Sequence, residues 1–459
     1  GRGGWLAVCG AGRGPPDEWA PWQTGGMPAN TQCLYCHTTG YEKGYRPAED
    51  GYESSWAEAG VGCEACHGPG AAHVAARAAG RADSYRSPAG ERLLDVCATC
   101  HSLRQERWTG FLPGDRLLDF FEPVLLDSDE YYPDGQVRGE AYEWTSFLQS
   151  KMYAAGVSCA DCHDVHAGAL RASGNELCLG CHDRRLDAPD HTRHDAGSKG
   201  SECVACHMPE TVFMARDSRR DHSFPVPDSE SADLGVPTAC DRCHGDHGRG
   251  WALERLREWP RAAQGRPADR HRMARAFRDG RRGDPASVAL LLDCATDCDS
   301  VVWRASATRL LAGFTDRAPV RSTLRQALAA REPLVRSSAA WALSEGEVAG
   351  DATTRALAAA ARDEVRSVRL HAAWALRSAP PTALLPEEQA AIGAARDEWL
   401  RSMDLLAEHP ETHHTLGVFY GDRGDLERAA TAYRTALRLE PASTPPRYNL
   451  AMLLASRGE

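Results

Sequence analysis

Apolar and small residues return at helical spacing from about residue 284 onward, and nowhere with such regularity before it. Val301-Val-Trp-Arg304-Ala-Ser-Ala-Thr-Arg-Leu-Leu311, Leu334-Val-Arg336-Ser-Ser-Ala-Ala-Trp-Ala-Leu343 and Ser367-Val-Arg369-Leu-His-Ala-Ala-Trp-Ala-Leu376 align with Arg-to-Arg periods of 32 and 33. In each, the small and apolar positions share one helix face, as stacked helices require. His371, inside the third copy, reads as a packed core histidine rather than a ligand. Pro380-Pro381 interrupts the period. A second one follows, with Leu416-Gly417, Tyr420, Ala429, Tyr433, Ala436 and Pro441, and a new unit opens at Tyr448-Asn-Leu450-Ala451. Repeats need neighbours to bury their faces, so the pattern predicts either more chain after Glu459 or a packing partner for that end. The first 250 residues are instead punctuated by Gly and Pro, which predicts short helices and loops. The chain therefore divides into 1–250, 251–283, 284–380 and 381–459, with a mostly α fold throughout.

The chemistry lies in the aperiodic part. Seven copies of C-x-x-C-H occur there: Cys33-Leu-Tyr-Cys36-His37, Cys63-Glu-Ala-Cys66-His67, Cys97-Ala-Thr-Cys100-His101, Cys159-Ala-Asp-Cys162-His163, Cys178-Leu-Gly-Cys181-His182, Cys203-Val-Ala-Cys206-His207 and Cys240-Asp-Arg-Cys243-His244. With 17 Cys and 18 His in 459 residues, random placement would give roughly 0.02 of them. The pattern is the attachment site of haem c, in which two thiols bond the porphyrin and the following His binds the iron. Zinc sites also use C-x-x-C pairs but do not require a His after every second Cys. Residues 1–250 thus predict a domain with seven covalent haem c groups, whose porphyrins form much of the core.

Each iron has a sixth position. Outside the proximal set, residues 1–250 hold six histidines: His73, His166, His191, His194, His222 and His247. Six for seven irons leaves one position to a methionine, to another chain, or open. His73, His166, His191, His194 and His222 are the expected distal ligands, with His247 and Met152 as further candidates. Met27, Met208 and Met214 are weaker ones. His166, three residues after His163, is expected on the same helix face and so on a neighbouring iron. The longest gap between first cysteines, 62 residues, contains Trp108, Phe111, Phe120, Phe121, Tyr131, Tyr132, Tyr142, Trp144, Phe147 and Tyr153. These aromatics are expected to pack on porphyrin faces and fill a small subdomain.

Composition narrows the picture further. A net charge of −11, before any propionates, argues against a nucleic-acid partner. Arg249–Arg282 runs the other way, with 11 Arg against Glu254, Glu258, Asp269 and Asp279, and reads as a basic helical linker, solvated or lying against propionates. No apolar run approaches the length of a membrane span. Haem c is attached outside the cytoplasm, so export to the periplasm or cell surface is expected although no signal peptide is visible. Leu6-Ala-Val-Cys9 lacks the apolar run of a lipoprotein box. Cys294 and Cys298, four residues apart, could pair in an oxidising compartment; two buried thiols of a helical repeat are the expected reading.

Several stretches carry a resemblance. The 284–380 repeats look like HEAT units, and those of 381–459 resemble tetratricopeptide units. Gly62-Cys63-Glu-Ala-Cys66-His67-Gly-Pro-Gly70 with His73 resembles a haem segment of the tetrahaem cytochrome that takes electrons from hydroxylamine oxidoreductase. Pro133-Asp-Gly-Gln136, Ser146-Phe-Leu-Gln-Ser-Lys-Met152, Cys203-Val-Ala-Cys206-His207-Met-Pro-Glu210 and Asp221-His222-Ser-Phe224 are similar to a bacterial multihaem family that joins such a region to HEAT and tetratricopeptide repeats. The resemblance implies an exported electron-transfer protein and a further C-x-x-C-H upstream of Gly1, and the helical repeats are expected to dock it to a protein partner. Two alternatives stand beside it. One is an oxidoreductase acting on a small nitrogen or sulfur species at an open haem; the other is a homo-oligomeric conducting filament.

Overall fold

The computed structural model describes residues 28–83, 85–139, 141–213, 217–227, 234–259, 267–346, 351–380 and 384–458. Cys9, Met27 and Met214 lie outside the described residues. Among the described residues the fold is mostly α: short helices and five two-stranded sheets up to about residue 250, then a succession of longer helices. These are α1 (Pro267–Arg281), α2 (Val288–Asp297), α3 (Val301–Leu310), α4 (Ala318–Ala327), α5 (Pro333–Ser344), α6 (Asp351–Ala360), α7 (Arg366–Ala375), α8 (Pro386–Asp404), α9 (Pro410–Asp422), α10 (Leu426–Leu439) and α11 (Thr444–Ser456). Packing divides the chain into two units. One contains His101–Leu103 and Pro123–Ala342; the other contains residues 28–100, Arg104–Glu122 and 343–458.

The 32- and 33-residue period has a local cause. Arg304, Arg336 and Arg369 each reach back six residues, donating from Nη1 to the carbonyls of Cys298 (2.7 Å), Ala330 (3.0 Å) and Asp363 (2.8 Å). Those carbonyls lie where the preceding helix has ended and has no backbone donor left for them. Each arginine thereby ties one helix pair into a fixed bend, and Arg304 and Arg369 also bind Glu332 and Glu398. Arg336→Ala is expected to cost about 1.5–3 kcal/mol, the range for a hydrogen bond to a charged group, read as a lower denaturation midpoint.

In the first unit, α1 buries Ala274, Ala276 and Phe277 against α2 and α3, and Phe277 meets the Trp303 ring at 4.5 Å. The aromatic segment between the third and fourth motifs meets these helices. Leu126 N donates to Ser306 Oγ (3.0 Å), Arg309 pairs with Asp127 (3.3 Å), and Arg281 donates to the Tyr131 carbonyl (2.8 Å). In the second unit, Arg366 of α7 lies 4.1 Å over the Trp108 ring, and its backbone N–H binds Asp119 (2.6 Å). Of the gap aromatics, Trp108 and Phe120 meet Arg366 of the repeats, while Phe111 packs on Phe120 and Phe121, and Phe147 on Tyr153. Trp374, Trp399 and Phe419 stack in series across α7, α8 and α9 (5.3 and 4.6 Å). Gly417 is glycine because a Cβ there would overlap the buried Tyr433 ring.

Cys294 and Cys298, expected as thiols, form a disulfide. The helix ends at Asp297 with Cys298 as its C-cap, and the Cα atoms lie 4.7 Å apart, within disulfide range. His371 is a core histidine as expected, buried on α7.

Candidate haem-binding site

The spacing of C-x-x-C-H is the spacing of one helical turn. Positions i, i+3 and i+4 share a face, so a single turn presents both thiols and the imidazole together. The turn closes by the His N–H bonding the first Cys carbonyl at Cys33–His37 (3.1 Å), Cys178–His182 (2.9 Å) and Cys240–His244 (2.9 Å). Cys63–His67 and Cys203–His207 are whole short helices, and Glu91–His101 carries the third motif in its last turn. The fourth motif differs. Its helix stops at Cys162, and His163–Asp164 pairs as a strand with Ala169–Leu170. His166 is therefore not one helical turn beyond His163. It sits exposed in the connecting turn, where Asp164 Oδ1 accepts from the His166 and Ala167 N–H groups (3.1 Å each).

None of the fourteen motif cysteines is in a disulfide. Thiols of different motifs lie close enough to affect one another. Cys36 and Cys66 both neighbour Cys100 in the second unit; in the first, Cys162 neighbours Cys181, Cys178 bonds Cys203, and Cys206 neighbours Cys240. Burial, reinforced by these neighbours, pushes the Cys178 and Cys206 thiols up to about 11.

Three of the expected distal histidines face a proximal one. His222 and His163 have ring centroids 6.4 Å apart, His191 and His207 6.2 Å, and His194 and His244 6.1 Å, with interplanar angles of 27°, 14° and 32°. Two imidazoles on opposite sides of one metal, each bonded at about 2 Å, have centroids roughly 6 Å apart. Their outer nitrogens are also occupied. Nδ1 faces a backbone carbonyl in His207 (Pro225, 3.0 Å), His194 (Thr192, 2.7 Å) and His222 (Arg220, 2.9 Å). A carbonyl can only accept, so Nδ1 carries the proton and Nε2 keeps its lone pair for a metal. Burial, the largest cause, lowers His163 and His207 below the ordinary histidine value and favours the neutral, metal-binding form. The residues fit haem.

Local backbone explains how closely spaced histidines serve different partners. Arg193, between His191 and His194, takes a left-handed conformation (φ 60°), which turns the second histidine away from the first. Phe224, two residues after His222, is also left-handed (φ 50°). Such conformations are uncommon for non-glycine residues and collect at functional sites. Gly200 leaves room for the His194 ring, which a Cβ would overlap.

The other candidates are placed differently. His73 pairs through Nδ1 with Asp83 (3.0 Å) and packs on Tyr85 (4.7 Å), whose hydroxyl lies 2.6 Å from His67 Nδ1. His247 is 6.0 Å from His244 but stacks on Trp251 (5.0 Å, 23°), and it sits only three residues along from His244. Met152 is half-buried in a short helix capped by Ser150 Oγ. His101 Nδ1 faces Glu143 (3.1 Å). Sequence reading missed the groups that orient the imidazoles. Backbone carbonyls leave no sequence signal, and Glu143 lies 42 residues from its histidine.

Comparison with known proteins agrees with this chemistry. The family described as Doubled CXXCH motif matches residues 151–186, and that described as Cytochrome c554 and c-prime matches residues 22–68. Both matches support a multihaem cytochrome c. The chain is also similar to a TPR repeat-containing protein of Pseudomonas aeruginosa, 39% identical over 106 residues, or 21% of this chain. The match spans 43% of that relative's length. No solved structure matches the chain. No helix among the described residues is long and apolar enough to cross a membrane.

Proposed function

We propose that this cytochrome binds seven haem c groups and passes electrons among them, docking to a protein partner through its helical repeats. The three facing imidazole pairs carry the reading. Haem iron in such sites would supply a one-electron couple. His163 with His222, His207 with His191, and His244 with His194 would hold both axial positions and keep them closed to substrate, which suits electron transfer. His37, His67, His101 and His182 complete the proximal set, and His73, His166 and Met152 remain candidates for the other sixth positions, while His247, stacked on Trp251, is not assigned one.

The neighbouring thiols support a path within each unit. Attachment points at Cys162 and Cys181, Cys178 and Cys203, and Cys206 and Cys240 would bring the fourth to seventh haems together in chain order within the first unit. Cys100 would do the same for the first three in the second. In our reading residues 1–250 form the haem region, 251–283 a basic connection, 284–380 HEAT-like repeats and 381–459 tetratricopeptide-like repeats. A periplasmic or cell-surface location accords with thioether attachment of haem and with the Cys294–Cys298 disulfide, a bond of oxidising compartments.

The intact mass of the holoprotein should correspond to seven haems, and that of a Cys178→Ala/Cys181→Ala variant to six. Low-temperature EPR with quantified spins tests the relay. Uniform low-spin iron supports it. A stoichiometric high-spin signal that shifts with nitrite, hydroxylamine or cyanide would put an enzyme with an open haem first.

A further inference from the structure

We infer that Glu143 makes the haem attached at Cys97 and Cys100 a low-potential member of the array, by hydrogen-bonding its proximal ligand, His101. This rests on the proposed haem binding at that motif. The other proximal histidines with a described Nδ1 neighbour face neutral groups: the Pro225 carbonyl for His207 (3.0 Å) and the Tyr85 hydroxyl for His67 (2.6 Å). His101 faces a carboxylate at 3.1 Å.

The difference matters chemically. A charged acceptor draws on the Nδ1–H more strongly than a carbonyl does, so electron density moves through the ring to Nε2. A more basic ligand stabilises the oxidised metal over the reduced one. The charge itself opposes the added electron, in surroundings where little water screens it, since only 25% of the Glu143 side chain is exposed.

The carboxylate is held in place. Glu143 begins the helix Glu143–Phe147, where the backbone N–H groups favour a negative charge. Its second oxygen lies 3.7 Å from Arg219, whose guanidinium stands 5.5 Å over the Tyr142 ring. Glu143, Arg219 and Tyr142 line one open cleft with Asp221 and His222. Arg219 partly offsets the charge; the carboxylate's field also reaches His163 and His222, but its hydrogen bond is to His101 (3.1 Å), where its effect is largest. Glu143 is a positioning residue, acting on the iron only through His101.

Spectroelectrochemical titration of the holoprotein tests this. In Glu143→Gln one single-electron component should move upward by about tenfold in its reduction equilibrium, or 59 mV. Glu143→Asp should move it back toward the parent position. Arg219→Gln, which leaves the carboxylate uncompensated, should move the same component downward and gives a second reading if the first variant folds poorly. A Glu143→Gln titration that superimposes on the parent overturns the inference, as does an Arg219→Gln shift upward. Intact mass distinguishes the underlying assumption: loss of one haem from the Cys97→Ala/Cys100→Ala variant upholds attachment at that motif, and an unchanged mass removes it and the inference together.

Discussion

His222→Ala is expected to turn one low-spin iron of the holoprotein high-spin and leave the remainder unchanged. His222 faces His163 at 6.4 Å between centroids, and its Nδ1 is fixed by the Arg220 carbonyl at 2.9 Å. Alanine removes the Nε2 donor, and the strands around it, Glu210–Phe213 and Asp217–Arg220, bring no second imidazole to the same place. Quantified EPR should therefore show one new high-spin centre, and added imidazole should restore the low-spin signal. His191→Ala and His194→Ala should behave alike, each on a different haem. His247→Ala is the informative contrast. His244 has both His194 and His247 near 6 Å, but only His194 has its outer nitrogen on a backbone carbonyl (2.7 Å). His247→Ala should leave the spectrum unchanged. A high-spin centre there, with none in His194→Ala, would exchange the two assignments.

The contrast marks where sequence reading stops. A C-x-x-C-H motif is legible because its geometry is confined to one helical turn, so spacing alone places both thiols and the imidazole. The pairing of His222 with His163 depends on the path of the chain between them, and on turns such as that at Phe224 (φ 50°) that side-chain preference argues against. Periodicity behaved similarly. The recurrence of Arg304, Arg336 and Arg369 was visible, but its cause, a carbonyl six residues back, required the bend between helices. The two misreadings also have local causes. His166 is misplaced by extending a helix that stops at Cys162, and the Cys294–Cys298 spacing admits both a thiol pair and the disulfide that forms. A helical period persists in sequence beyond the point where the backbone leaves the helix.

The largest stability effect is expected at Glu122, a residue no motif singles out. It accepts from Arg107 Nε and Nη2 (2.9 and 2.7 Å), and its other oxygen lies 3.2 Å from His371 Nε2 on α7. The three side chains are only 14%, 23% and 11% exposed. One carboxylate thus joins a haem-region segment to the helical repeats of the same unit. Removing one partner from a buried ionic group leaves the others desolvated and unmatched, which costs about 3–5 kcal/mol. For a unit of this size that lowers the melting midpoint by roughly 6–20 °C. Calorimetry of Glu122→Ala holoprotein should show this fall. Glu122→Gln should lose less, because an amide oxygen still accepts from Arg107. The control is Arg184→Ala. Its pair with Glu176 has a similar distance (2.8 Å) but side chains 69% and 60% exposed, and no change in midpoint is expected. Equal effects from the two alanine variants would mean that burial does not set the strength of the Glu122 contact, and that the haem region and the repeats are held together by apolar packing around Trp108 and Arg366 instead.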